Sequence, residues 1–225
     1  MNTEKTVRQP VPQTKGQTIP WASVYDTIVW LFSFGQAQAL RKTTIELAQI
    51  ESGDKVLDVG CGTGDLTLAA KAVAGPTGEV YGTDAAPEMI KVAQKKAAQA
   101  GVEVTFQVDL IEHMTFSDNQ FDIVLSSLMM HHLPDDLKRE GLAEIYRVLK
   151  PGGRLLIVEI ESSNQSFFGR LSDLIVLLHG GHTAMANNAK KLVPLMEAVG
   201  FTAVETGETK FRSISFVAGK KAPAS

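Results

Sequence analysis

The sequence predicts an α/β fold: a doubly wound, mostly parallel sheet that ends in an antiparallel hairpin. Three observations predict it. Short apolar runs alternate with helix-patterned segments between Lys55 and Glu159, as βαβ crossovers require. Gly60, Gly62 and Gly64 stand at alternate positions between the first such run and the first such helix. Near the end, Phe201 to Thr206 and Phe211 to Ala218 are strand-like, and the short Gly207-containing link between them cannot make a parallel crossover.

Taken in order, residues 1–20 are polar, carry Pro10, Pro12, Gly16 and Pro20, and lack the apolar stretch of a secretory leader. They read as a loosely attached tail. Ser23 to Phe34 and Gln36 to Ile50 show helical apolar spacing broken near Gly35, so 21–50 reads as a helical cap. Trp21 to Leu40 comes near spanning length, but Asp26, Gln36 and Gln38 interrupt it. No transmembrane span is expected, and peripheral membrane contact stays open.

The main domain, 51–225, begins with a strand at Lys55 to Asp58. A helix at Asp65 to Ala74 follows, stopped by Gly75-Pro76. Glu79 to Thr83 predicts a strand, and Pro87 to Ala100 a helix with proline in its first turn and Gly101 past its end. Val102 to Val108 is the next strand. Phe121 to Ser127 is almost continuously apolar, as in a strand buried on both faces. Asp136 to Leu149 predicts a helix stopped by Pro151-Gly152-Gly153, and Arg154 to Glu159 a further strand. An insertion near 160–190, with Phe167, Phe168, Leu171, Leu174, Leu177 and Leu178, reads as a lid. Ordinary core packing explains the same side chains. Gly180-Gly181 suits a hinge or a helix stop.

Composition narrows the function. Of 225 residues, 44% are hydrophobic and 21% charged, which fits one globular domain of ordinary size. A formal net charge of −3 with no basic run gives no footprint for nucleic acid. The only cysteine, Cys61, excludes an intrachain disulfide and fits a reducing, cytoplasmic setting. Between glycines it reads as a small residue in a crowded loop. Monomer and homodimer are both compatible with the chain.

The glycine loop sets the ligand class. Glycines allow positive φ and let a ligand approach the backbone without meeting a β-carbon. A dinucleotide fingerprint places its third glycine one position later, where this chain has Asp65, a carboxylate expected to repel a pyrophosphate. A Walker lysine is also missing. Asp84, about twenty residues after the loop, stands where a carboxylate accepts from ribose hydroxyls. It also precedes the helix at Pro87, where it would serve as a cap. Asp109, after the third strand, suits an adenine amine, or a turn.

These segments resemble the class I S-adenosylmethionine-dependent methyltransferases, with a Rossmann-like sheet, and are similar to the quinone-biosynthesis C-methyltransferases among them. The matching stretches are Val56 to Thr67, Gly82 to Ile90, Val108-Asp109, Phe121 to Ser126 and Leu149 to Leu155. The resemblance implies S-adenosylmethionine as cofactor. Asp58 and the loop Gly60-Cys61-Gly62-Thr63-Gly64 would surround its methionine part. Asp84 would hold the ribose, Ala85 and Met89 one side of the adenine, and Asp109 and Leu110 the adenine edge. Ser126 would lie below the sulfonium, and Tyr25 over the carboxylate.

His131 and His132 follow the fourth strand on the face where an acceptor would arrive, and histidine transfers protons near neutral pH. Packing beneath the lid is the competing explanation. No third ligand completes a metal site with them, so no metal is expected. The aromatic and aliphatic cap and insertion imply a small apolar acceptor, quinone-like or lipid-like. The competing functions are a nicotinamide-dependent oxidoreductase and a non-catalytic S-adenosylmethionine-binding protein.

Overall fold

The computed structural model describes residues 14, 16, 36–160, 189–211 and 214–224. Helix α1 (Ala37–Ala48) leads into β1 (Lys55–Val59), α2 (Asp65–Ala74), β2 (Glu79–Asp84), α3 (Pro87–Ala100) and β3 (Thr105–Val108). Then come β4 (Phe121–Ser127), a 3-10 turn (Met130–His132), α4 (Asp135–Val148), β5 (Leu149–Ile160), α5 (Ala189–Val199), β6 (Thr202–Glu208) and β7 (Ile214–Lys220). The predicted helix at Ser23 to Phe34 and the insertion at Ser166 to Asn188 lie outside the described residues, as does Tyr25.

The strands form one seven-stranded sheet in the order β3-β2-β1-β4-β5-β7-β6. Strands β1 to β5 pair in parallel, while β7 pairs antiparallel with both β5 and β6. The chain winds outward from β1 to β3, then returns to place β4 on the other side of β1. That reversal opens a crevice at the carboxyl ends of β1 and β4.

Alternation along each strand explains the two cores. Leu57, Val124, Leu155 and Ile157 face one side, where α4 and α5 bring Leu142, Ile145, Leu192 and Met196. Val56, Ile123, Leu125 and Leu156 face the other, against α1 and α2. A central strand covered on both faces cannot alternate apolar with polar, which is why these runs are apolar throughout.

Local details depart from the sequence expectations in informative ways. The Pro151-Gly152-Gly153 stop does end α4, but the chain enters β5 at Leu149 without leaving the sheet. The register jumps from Phe121↔Leu149 to Ile123↔Arg154, so the tripeptide sits in a bulge, with Gly152 at φ +80°. Gly207 is not in the hairpin link: it belongs to β6 opposite Phe216, where a β-carbon would stand 2.5 Å from that ring. The link lies further on, where the Thr209 amide donates to the Ile214 carbonyl (3.0 Å) and the Ile214 amide to the Phe211 carbonyl (2.9 Å). Helix α5 was not expected. It contains Pro194, which deprives one helical carbonyl of its donor, and it forms because Ala189, Leu192 and Met196 are buried on the sheet.

Candidate active site

The loop after β1 is held by the end of β2. The amides of Gly60 and Cys61 both donate to the Thr83 carbonyl, at 2.8 and 2.9 Å, and the Gly62 amide donates to Asp84 Oδ2 at 3.0 Å. Asp84 Oδ1 receives the Ala86 amide at 2.8 Å, at the start of α3. Asp84 therefore holds the turn into α3, whose N-cap residue Ala86 makes no side-chain cap, and braces the glycine loop while lining the crevice. Burial raises the pKa of its carboxyl, and the two amides oppose that shift.

The glycines divide the work. Gly60 and Gly62 line the crevice at φ +73° and +53°, and a β-carbon on Gly60 would lie 2.2 Å from Met129 Cγ. Gly64 does not line it. At φ +83° it caps α2, and a β-carbon there would stand 2.7 Å from the Phe106 ring and 2.9 Å from Ala93 Cβ. The third glycine thus gives close packing to α3, the task that the dinucleotide fingerprint assigns to a glycine one position later.

Asp58, at the end of β1, is 1% exposed and accepts from Thr67 Oγ1 at 2.6 Å. Burial above all, with the charge of Asp84 adding to it, pushes its carboxyl up to about 7. Burial, then the charges of Asp58 and Asp84, hold the Cys61 thiol well above its ordinary value. A thiol so held is a poor nucleophile, in keeping with its reading as a small loop residue.

Asp65 does not act as the sequence argument supposed. Lys96 Nζ lies 2.7 Å from its Oδ1 and Arg41 3.2 Å from its Oδ2, so its charge is offset by two cations. It cannot by itself repel a phosphate. Asp65 does line the crevice, and Asp58, Asp84, Asp109 and Glu112 line it too, with Arg41 at one side.

At the end of β3, Asp109 is buried and lines the crevice, but much of its carboxylate is engaged. Oδ2 receives the Thr115 amide and hydroxyl and the Gln107 side-chain amide, at 2.9–3.1 Å. Oδ1 meets the Leu110 amide at 3.1 Å and keeps acceptor capacity. Leu110 is not among the lining residues, whereas Ile111 and Glu112 are. Leu110 opens a turn, its carbonyl accepting the His113 amide at 3.1 Å. At β4 the shift is likewise a single residue. Ser126 is 1% exposed with its hydroxyl unpartnered, and Ser127 lines the crevice. Successive strand residues face opposite sides, so Ser126 and Ser127 face different sides of the sheet.

Ala85, Met89, Thr63 and Cys61 line the crevice as expected. The two histidines part company. His132 lines it, with Met129 and Leu133, whereas His131 does not and instead bonds through Nδ1 to Glu159 Oε2 at 2.8 Å. Two residues of the polar amino-terminal stretch also reach the site. Thr14 Oγ1 donates to Glu112 at 2.7 Å, and a β-carbon on Gly16 would stand 3.1 Å from Leu133 Cδ2. The sequence reading missed Thr14, Arg41, Glu112, Ser127 and Glu159. Only Glu159 left a signal, as an acid closing the apolar run Leu155 to Val158.

The crevice encloses about 200 Å³. Among the described residues no cluster of three His, Cys, Asp or Glu side chains could hold a metal ion. No helix among them is long and apolar enough to cross a membrane.

Residues 56–153 match the family model described as a methyltransferase domain. The ubiquinone/menaquinone biosynthesis C-methyltransferase UbiE of Burkholderia mallei is 40% identical over 138 residues, which are 61% of this chain and 56% of that relative. The chain thus spans little more than half the length of the curated relatives it matches. A crystal structure of an S-adenosylmethionine-dependent methyltransferase from Aquifex aeolicus superposes with a TM-score of 0.66 at 20% identity, over 80% of this chain and 88% of that one. A Haemonchus contortus phosphoethanolamine N-methyltransferase, solved with phosphomonomethylethanolamine and S-adenosylhomocysteine, gives 0.72 at 19% identity, over 90% and 58%. At such identities these two structures establish the shared fold alone.

Proposed function

We propose that this chain, whose residues 56–153 match the family model described as a methyltransferase domain, transfers a methyl group from S-adenosylmethionine to a small, apolar, quinone-like or lipid-like acceptor in the cytoplasm. The observation that carries the proposal is the crevice wall. Five acidic side chains, Asp65 among them in an ion pair, face a space whose backbone is bare of β-carbons at Gly60 and Gly62. A ligand with a sulfonium and an ammonium group suits such a wall, and a pyrophosphate does not. The wall therefore disfavours the nicotinamide alternative on firmer ground than Asp65 did.

When bound, the cofactor supplies a methyl group already activated by positive sulfur. Asp84 holds the ribose hydroxyls with the acceptor capacity left on its two oxygens. Ala85 and Met89 flank the adenine, and Asp109 with Ile111 meets its edge. Asp58 and the Gly60–Gly62 backbone receive the methionine part. Met129, His132 and Leu133 form the acceptor side and exclude water. The apolar residues of that wall, and the quinone-pathway name carried by the Burkholderia relative, support the acceptor class.

Calorimetric titration tests the cofactor and mass spectrometry the acceptor. Micromolar binding of S-adenosylmethionine or its demethylated product is expected, together with label transfer from a methyl-labelled cofactor to a reduced quinone or phenol. Dinucleotide binding without S-adenosylmethionine binding would reverse the assignment. Cofactor binding with no methylated product across acceptors would favour the non-catalytic reading.

A further inference from the structure

Resting on the methyltransferase reading above, we propose that Thr115 is a positioning residue for the cofactor's purine. It holds the Asp109 side chain so that Oδ1 accepts from the adenine amine, and an oxo purine is refused. Asp109 follows β3, is 6% exposed and lines the crevice. Its amide donates to the Asp84 carbonyl at 3.2 Å, so the acid that meets the adenine stands beside the acid that holds the ribose.

The donors around Asp109 decide which of its oxygens the crevice meets. Thr115 gives Oδ2 both its amide and its hydroxyl, at 3.0 and 2.9 Å, and Gln107 Nε2 adds a third donor at 3.1 Å. Gln107 Nε2 also donates to Thr115 Oγ1 at 2.9 Å, which closes a ring of three side chains. Three donors leave that oxygen no lone pair for a ligand. Neither Gln107 nor Thr115 lines the crevice, so Oδ2 is turned away from it and Oδ1 is the oxygen presented. Among the described residues Oδ1 meets the Leu110 amide alone, at 3.1 Å, and has room for one more donor. Rotating the group out of this pose would break the three bonds together, so the acceptor is fixed before any ligand arrives.

The peptide on either side of Thr115 is held from α4, independently of the hydroxyl. The Met114 amide donates to Glu144 Oε2 at 2.8 Å, and Arg147 donates to the carbonyls of Met114 and Phe116 at 3.0 and 2.7 Å. Helix α4 thus sets Thr115 in place, and Thr115 sets Asp109. An oxygen fixed as an acceptor pairs with the amine of adenine, but meets the carbonyl of hypoxanthine acceptor against acceptor.

Calorimetric titration with S-adenosylhomocysteine and S-inosylhomocysteine, which carry these two purines, tests this as a ratio of affinities. The wild type should bind the adenosine form about 30-fold more tightly. Thr115→Val keeps the backbone amide and the anchors from α4 but loses the hydroxyl, and should lower that ratio about fivefold. Thr115→Ser should restore it. Asp109→Asn should turn its amide oxygen to the three donors and its NH2 toward the crevice, and so prefer the inosine form. A merely structural Thr115 would weaken both ligands equally and leave the ratio unmoved. A ratio within twofold of wild type in Thr115→Val, or an adenosine preference kept by Asp109→Asn, overturns the positioning role and leaves the methyltransferase reading intact. Equal affinities in the wild type would remove Asp109 from the adenine and the role of Thr115 with it. Binding of neither ligand would instead sink the methyltransferase reading.

Discussion

Substitution Asp58→Asn removes a titrating carboxyl from the floor of the crevice and leaves its shape and its contact with Thr67 nearly unchanged. In the unfolded chain this carboxyl ionises near 3.8, and in the fold near 7. Between those values the native state holds a proton that the unfolded state has released, so this group's contribution to stability falls as pH rises. At about 1.4 kcal/mol per pH unit, the full difference is about 4 kcal/mol, all of it lost above pH 7. Urea unfolding of wild type and variant at intervals from pH 4 to 8 reads the effect as the gap between two curves. The variant should gain on the wild type steadily through that window. Adding S-adenosylmethionine should reverse the trend for wild type, since a cationic ligand favours the ionised carboxylate, and binding should tighten with pH through 7. Parallel stability curves, or a gap that widens toward acid, would refute this account of the crevice electrostatics.

Two further substitutions probe the cradle. Asp84→Ala should weaken cofactor binding at least tenfold by calorimetry; freeing the Gly62 and Ala86 amides should also cost about 1–3 kcal/mol of stability, and unchanged affinity would refute the ribose role. Gly60→Ala, whose β-carbon meets Met129 at 2.2 Å, should destabilise well beyond Gly101→Ala, which shares a positive φ but has nothing within 4 Å. The control should cost about 1 kcal/mol, and equal losses in thermal unfolding would show that close approach is not the constraint.

What the sequence disclosed depended on the distance over which each cause acts. The glycine loop, the Pro-first helix at Pro87 and the acid after each strand are local patterns, and Asp58, Asp84 and Asp109 stand where the strand period put them. Ser126 and Leu110 stand one residue from Ser127 and Ile111, which line the crevice, because side-chain direction at a strand end depends on backbone geometry that composition does not encode. Helix α5 was missed for a different reason: Pro194 argues locally against a helix that tertiary burial of Leu192 and Met196 imposes. Which residues far apart in the chain would meet is not written in it. Lys96 neutralises Asp65 across 31 residues, and Glu159 meets His131 across 28. The electrostatic role of Asp65 was therefore misjudged, and Glu159 went unnoticed.

The sheet order also constrains how a growing chain can assemble. Strand β7 lies between β5 and β6, although β6 is made first. A nascent chain that has emerged as far as β6 offers β5 one unpaired row of backbone donors and acceptors beside the greasy sequence Leu155 to Val158. Such an edge recruits strands from other molecules. Until β7 emerges and pairs, the strand that bears Glu159 is the open edge of the sheet.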